Sequence, residues 1–129
     1  MRAVDTNIVV RLVVGDDPRQ TALAEAELEK GFFVSHGVLM EAEWVLRSFS
    51  RLDREAIGGA LRQFLNNADV IIPEPESVHW ALDRYLDGAD LPDMLHLIAA
   101  APYGEFPSFE KHLTKRAGPD APARVVHLR

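Results

Sequence analysis

The sequence has no cysteine. Disulfides, thiolate metal sites and a cysteine nucleophile are therefore excluded. No apolar run approaches the roughly 20 residues that a membrane-spanning helix requires. Positive charge is in short supply: 14 Lys and Arg face 20 Asp and Glu, a net charge of −6. That balance argues against broad affinity for polyanions, unless several acids gather in one place and bind cations. The phosphate loop G-x-x-x-x-G-K-[ST], the dinucleotide loop G-x-G-x-x-G and the nucleophile elbow G-x-S-x-G are all missing. His36, His79, His96 and His127 show no zinc spacing and read as structural. There is no internal repeat and no low-complexity stretch. The N-terminus, MRAVDTNIVV, has no separate charged region, apolar core and cleavage motif. It reads as a first strand rather than a signal peptide, and a cytoplasmic protein is expected.

What is present is ordinary globular composition, 47% hydrophobic and 26% charged. The 129 residues suit a single domain, 1–129, that buries about two-thirds of its unfolded surface. Met1–Val4 fits a buried strand. Ile8–Val14 is β-branched and apolar, a strand by propensity and a short helix by context. Asp17-Pro18 is a helix start; the helix carries Ala22, Leu23, Ala26 and Leu28 and stops at Gly31. Phe32–Ser35 is a second strand. Val38–Phe49 is a strong helix with Val38, Ala42, Val45, Leu46 and Phe49 on one face. Asp53 caps a helix striped with Ile57, Ala60, Leu61, Phe64 and Leu65. Val70–Ile72 is a third strand, Glu76–Leu86 a helix, and Asp90 opens another helix through Ala100. Glu105–Phe109 is a fourth strand that Pro107 makes irregular or an edge. A short helix over Lys111–Ala117 and a last strand over Arg124–Leu128 complete the chain. Strands separated by helices, without hairpin turns, predict parallel pairing. The expected fold is a three-layer α/β/α sandwich around a central, mostly parallel sheet. Function in such folds gathers at the carboxyl ends of the strands.

That rule selects acids. Asp5 follows the first strand directly, where a helix cap and a site ligand are both compatible with its position. Glu41 and Glu43 stand two residues apart on one helix, roughly 200° of rotation, so they cannot serve one site together. A solvated carboxylate is the ordinary role for either. Asp90 and Asp93, in D-L-P-D, match a cap and a first-turn acid, which is compatible with metal binding. Glu110 follows the fourth strand. Asp5, Glu41, Asp93 and Glu110 all fall on the same inferred edge. Four ionised carboxylates cannot gather without cations, and hard oxygen donors suit Mg²⁺ or Mn²⁺.

Three blocks carry a resemblance: V-D-T-N-I-V-V-R-L at the N-terminus, V-L-M-E-A-E-W-V-L in the strong helix, and G-A-D-L-P-D-M-L-H-L-I-A-A. In order and spacing they resemble PIN-domain proteins, in particular VapC-type toxins of toxin–antitoxin pairs. The resemblance runs nearly end to end. It implies a Mg²⁺-dependent endoribonuclease held in check by a cognate antitoxin, and a homodimer or larger assembly. It implies that Asp5, Glu41 and Asp93 are the core catalytic acids, with Asp90 matching a further Asp of the VapC branch. A fourth block departs: Ser108-Phe109-Glu110 stands where T-F-D or T-x-D is usual. Serine can replace the hydroxyl, but the longer glutamate alters the second metal position.

On this basis the expected metal ligands are Asp5, Glu41, Asp90, Asp93 and Glu110. Thr6, Asn7 and Ser108 are expected to orient carboxylates. A carboxylate-held Mg²⁺ would activate water and offset phosphoryl charge, and in-line attack would leave 5′-phosphate and 3′-hydroxyl ends. Lys111, Lys115 and Arg116 are the candidate RNA contacts, with His112, Arg11 and Arg47 behind them; a merely solvated basic helix face is the alternative. Leu23, Leu28 and Trp44 are candidates for an antitoxin groove. Two rivals remain: a PIN-like interaction module without turnover, and a Mg²⁺-dependent phosphoacceptor domain.

Overall fold

Asp5 ends the first strand and starts the first helix. In the computed structural model, which describes all 129 residues, β1 spans Arg2–Ala3 and α1 spans Thr6–Val14. The Asp5 carboxylate accepts the Ile8 amide at 3.3 Å. Gly15, at φ 67°, closes the helix with its amide on the Arg11 carbonyl. The β-branched run Ile8–Val14 is therefore helical. Its caps and the burial of Val9 and Val10 outweigh a propensity difference of a few tenths of a kcal/mol per residue.

The chain divides into two compact units, Met1–Pro75 and Glu76–Arg129. In the first, α2 (Pro18–Glu29) starts at an Asp17 cap that accepts the Gln20 amide at 3.0 Å. Its apolar stripe is not the expected one. Only Ala24 is buried on this helix, and Leu23 is 57% exposed. The short strand β2 (Phe32–Phe33) leads to α3 (His36–Ser48), capped by Ser35. Leu39, Ala42 and Leu46 form its buried face. Phe49, expected on that face, is exposed instead and packs edge-on against Trp44, ring centroids 5.3 Å apart. Asp53 caps α4 (Arg54–Leu65), whose Ile57, Leu61, Phe64 and Leu65 are buried as expected. β3 (Val70–Ile71) completes a parallel sheet in the order β1-β2-β3, Arg2 opposite Phe32 and Phe32 opposite Val70. As an edge strand β1 is exposed, not buried as expected. The central strand carries the burial, with Phe32 and the following Val34 fully enclosed.

The second unit follows from α5 (Pro75–Leu86). Asp90 caps α6 (Leu91–Ala100), accepting the Asp93 amide at 3.3 Å, and Pro92 sits in the first turn. A 3₁₀ turn over Ala101–Tyr103 leads into β4 (Glu105–Ser108). The helix α7 (Leu113–Ala117) and β5 (Arg124–His127) follow. β4 and β5 pair in parallel, Pro107 opposite Val126. The Arg124 and Leu128 amides donate to the Gly104 and Ser108 carbonyls. Even-numbered residues of β4 thus face β5, and Pro107 faces away, where its missing N–H costs no ladder bond.

The fold is α/β, with seven helices and parallel strands only. The strands form two short sheets, of three and two strands, where a single central sheet was expected. No helix is long and apolar enough to cross a membrane.

Candidate functional site

In the first unit the N-terminus of α1 meets the middle of α3. Thr6, next to Asp5, is buried, and its hydroxyl donates to the Glu41 carboxylate. One hydrogen bond thus joins two of the sequence-predicted blocks, and Thr6 orients a carboxylate as expected. Asp5 is a helix cap. Capping by one oxygen leaves the other available to a cation. No Asn7 contact joins this arrangement.

The other glutamate of α3 corrects the sequence expectation. Glu43 was expected to be solvated. It is only 3% exposed, and its Oε2 accepts Arg47 Nε at 2.9 Å. The pair stands at i,i+4 on the helix, a spacing that was legible. Glu41 itself is exposed apart from its Thr6 bond. The two glutamates thus stand in different surroundings, Glu41 exposed beside Thr6 and Glu43 buried against Arg47. Arg47, proposed as a phosphate contact, is committed to Glu43.

In the second unit Asp90, Asp93 and Glu110 line one cavity of about 310 Å³ at the start of α6, together with Gly88, His112, Leu113 and Arg116. The Asp93 carboxyl is held above its ordinary value. Burial is the main cause; the Asp90 charge adds to it, His96 opposes it, and an Asp90 hydrogen bond and the Glu110 charge contribute further. Glu110 sits in a tight turn. Its amide donates to Ser108 Oγ at 3.0 Å, and its Oε1 accepts the His112 amide at 3.3 Å. Ser108 thus fixes the backbone of Glu110 rather than its carboxylate.

Of Lys111, Lys115 and Arg116, only Arg116 lines this cavity, and His112 lines it as well. Lys111 precedes α7 and does not share its helical repeat with Lys115. His36 is structural, its Nε2 bonded to the Pro73 carbonyl at 2.7 Å. Arg11 is also occupied, by Gln20 and Asp16.

The donors of both units are hard carboxylate oxygens, the chemistry Mg²⁺ and Mn²⁺ select. No group of three or more His, Asp or Glu side chains is gathered closely enough to hold a metal ion. Asp5 and Glu41 belong to the first unit, and Asp90, Asp93 and Glu110 to the second. Compared with models of known families, with curated proteins and with solved structures, the chain matches none.

Proposed function

We propose that this chain is a metal-dependent endoribonuclease with a PIN-like three-layer fold around a central sheet, acting in the cytoplasm as the toxin of a toxin–antitoxin pair. The observation that carries the reading is the cavity at the start of α6. Asp90, Asp93 and Glu110 line it together, and like charges in a partly buried space call for a cation. The three sequence blocks that resemble VapC-type toxins support the same reading from the other side, since they contain Asp5, Glu41 and Asp93.

The reading assigns Asp5, Glu41 and Asp93 as the catalytic acids that hold Mg²⁺, or Mn²⁺ in its place, with Asp90 and Glu110 assisting directly or through water. When bound, the cation lowers the pKa of water and offsets charge on the phosphoryl oxygens. The chain's own residues do the positioning. Thr6 steers the Glu41 carboxylate. Asp90 takes the Asp93 amide and so sets the first turn of α6. Ser108 sets the turn that presents Glu110. Lys111, Lys115 and Arg116 supply positive charge for the RNA backbone, so binding weakens with salt. A cognate antitoxin would place an arginine near the acids, since a guanidinium matches carboxylates in a two-pronged bond. Homodimerisation belongs to the same proposal.

The test is cleavage of RNA by the purified chain in Mn²⁺ and in Mg²⁺, with chelator and Asp5→Asn as controls. Metal-dependent cleavage that Asp5→Asn abolishes is the expected result. Cleavage undiminished in Asp5→Asn, with contaminants excluded, overturns the reading. Metal binding without any turnover would instead favour an interaction module.

A further inference from the structure

Two arginines of the second unit cross over two glycines, each beyond the end of the other's helix. Arg84, on α5, lies against Gly118 just past α7; a Cβ on Gly118 would stand 3.2 Å from Arg84 Cζ. Arg84 Nε donates to the Arg116 carbonyl at 2.7 Å, and its Nη2 pairs with Asp87 at 3.3 Å. Arg84 therefore satisfies a carbonyl that the end of α7 leaves without a partner. In return Arg116, on α7, lies over Gly88 just past α5. A Cβ on Gly88 would stand 2.7 Å from Arg116 Nη1, closer than packed atoms tolerate. Gly88 also has φ 111°, so its conformation favours glycine, and a Cβ there would displace the guanidinium.

This seat puts the Arg116 guanidinium at the wall of the cavity that Asp90, Asp93 and Glu110 line. Three carboxylates would ordinarily draw a nearby guanidinium into an ion pair. Arg116 forms none with them, and its tip rests on the Gly88 backbone. Its planar fork of donors thus lies exposed at an acidic cavity and uncommitted. Such a fork matches phosphate in a two-pronged bond. Lys111 and Lys115 do not line the cavity.

We infer that Arg116 is the residue that positions an RNA phosphodiester at this cavity, and that Gly88 and Arg84 are the positioning residues that keep it there. The inference rests on the ribonuclease reading and narrows it: of three candidate basic residues, one makes the specific phosphate contact.

The test measures binding of a fluorescein-labelled single-stranded oligoribonucleotide to the full chain by anisotropy, in Ca²⁺, across a salt series, with gel analysis to confirm intact RNA. Arg116→Ala is expected to weaken binding about tenfold, the loss typical of a charge-assisted contact. It should also flatten the logarithmic salt slope by about 0.7, one phosphate contact on a single strand. Arg116→Lys should recover the slope but only part of the affinity, since it keeps the charge and loses the fork. Gly88→Ala, which pushes the guanidinium off its seat, should weaken binding like Arg116→Ala, and adding it to Arg116→Ala should cost nothing more. Lys115→Ala, which removes charge away from the cavity, should weaken binding clearly less than Arg116→Ala. Equal losses in Arg116→Ala and Lys115→Ala would overturn the inference in favour of a diffuse basic patch, and so would full recovery by Arg116→Lys. If Gly88→Ala fails to fold, the comparison among Arg116→Ala, Arg116→Lys and Lys115→Ala decides. Wild-type chain that neither binds nor cleaves RNA overturns the ribonuclease reading and this inference with it. Wild-type chain that does both, with Arg116→Ala unaffected, overturns this inference alone.

Discussion

Two glutamates on one helix do opposite work. Glu41 is exposed and takes a hydrogen bond from Thr6, whereas Glu43 is buried and paired with Arg47. Glu43→Gln should therefore lower stability by about 1–3 kcal/mol, the cost of weakening a buried, charged hydrogen bond, and change activity per folded molecule little. Denaturant unfolding and specific activity check the two halves. Glu41→Gln should show the reverse pattern, most of the activity lost and the fold intact. Asp93 gives a pH prediction at the same scale. Its folded pKa is raised, chiefly by burial and then by Asp90, so the folded state binds a proton more readily than the unfolded chain. This group's contribution then destabilises the fold as pH rises from the ordinary carboxylate value near 3.9 through the raised one. Asp93→Asn should remove that slope and raise the thermal midpoint at neutral pH. Asp90→Asn keeps a capping side chain but removes the neighbouring charge. It should move the Asp93 pKa part of the way down, read from the Asp93 carboxyl carbon by NMR titration. No downward movement would show that Asp90 does not raise it, leaving burial and Glu110.

At the scale of elements, what was legible followed punctuation and period. Asp17-Pro18, Asp53 and Asp90 all cap the helices that follow them. The α4 stripe was legible because its period is unambiguous, and its Ile57, Leu61, Phe64 and Leu65 are buried, with Ala60 half-buried. The parallel pairing was legible because helices rather than hairpin turns separate the successive strands. Failures occurred where packing, not period, decides. Phe49 continues the α3 stripe in sequence but lies at the helix end and packs on Trp44. Leu23 has the right spacing on α2, yet nothing covers it. The reciprocal seats of Arg84 and Arg116 were not legible at all, because they join residues about thirty positions apart. The turn Ser108–Glu110–His112 carries an element-scale prediction. Glutamate reaches on the order of 1.5 Å farther than aspartate and has one more rotor to order; Mg²⁺ demands near-ideal octahedral geometry. Activity should be higher in Mn²⁺ than in Mg²⁺, and Glu110→Asp should narrow the gap. Glu110→Ala should cost less than Asp5→Ala. Equal losses would make Glu110 a full ligand.

At the scale of the whole molecule, the acids named from the sequence divide between Met1–Pro75 and Glu76–Arg129. Within each unit the structure explains their neighbours: Thr6 for Glu41, and Asp90, His96 and Glu110 for Asp93. The proposal that all five serve one centre rests on the order of the sequence blocks, which carries no distance. Thermodynamic coupling supplies what spacing cannot. If Asp5 and Asp93 hold the same ion, either substitution alone removes most of the binding and the second removes little more. If they hold separate ions, or none, the losses add, as they do for independent sites. Mn²⁺ binding by calorimetry to wild type, Asp5→Asn, Asp93→Asn and the double variant completes the cycle. Asparagine keeps the cap at Asp5, and Asp93→Asn should raise the thermal midpoint rather than lower it, so weaker binding in these variants would not come from unfolding. The expected result is strong non-additivity, the double variant binding Mn²⁺ about as weakly as either single one. Additive losses would separate the two acids into different sites and remove the common metal centre from the proposed mechanism.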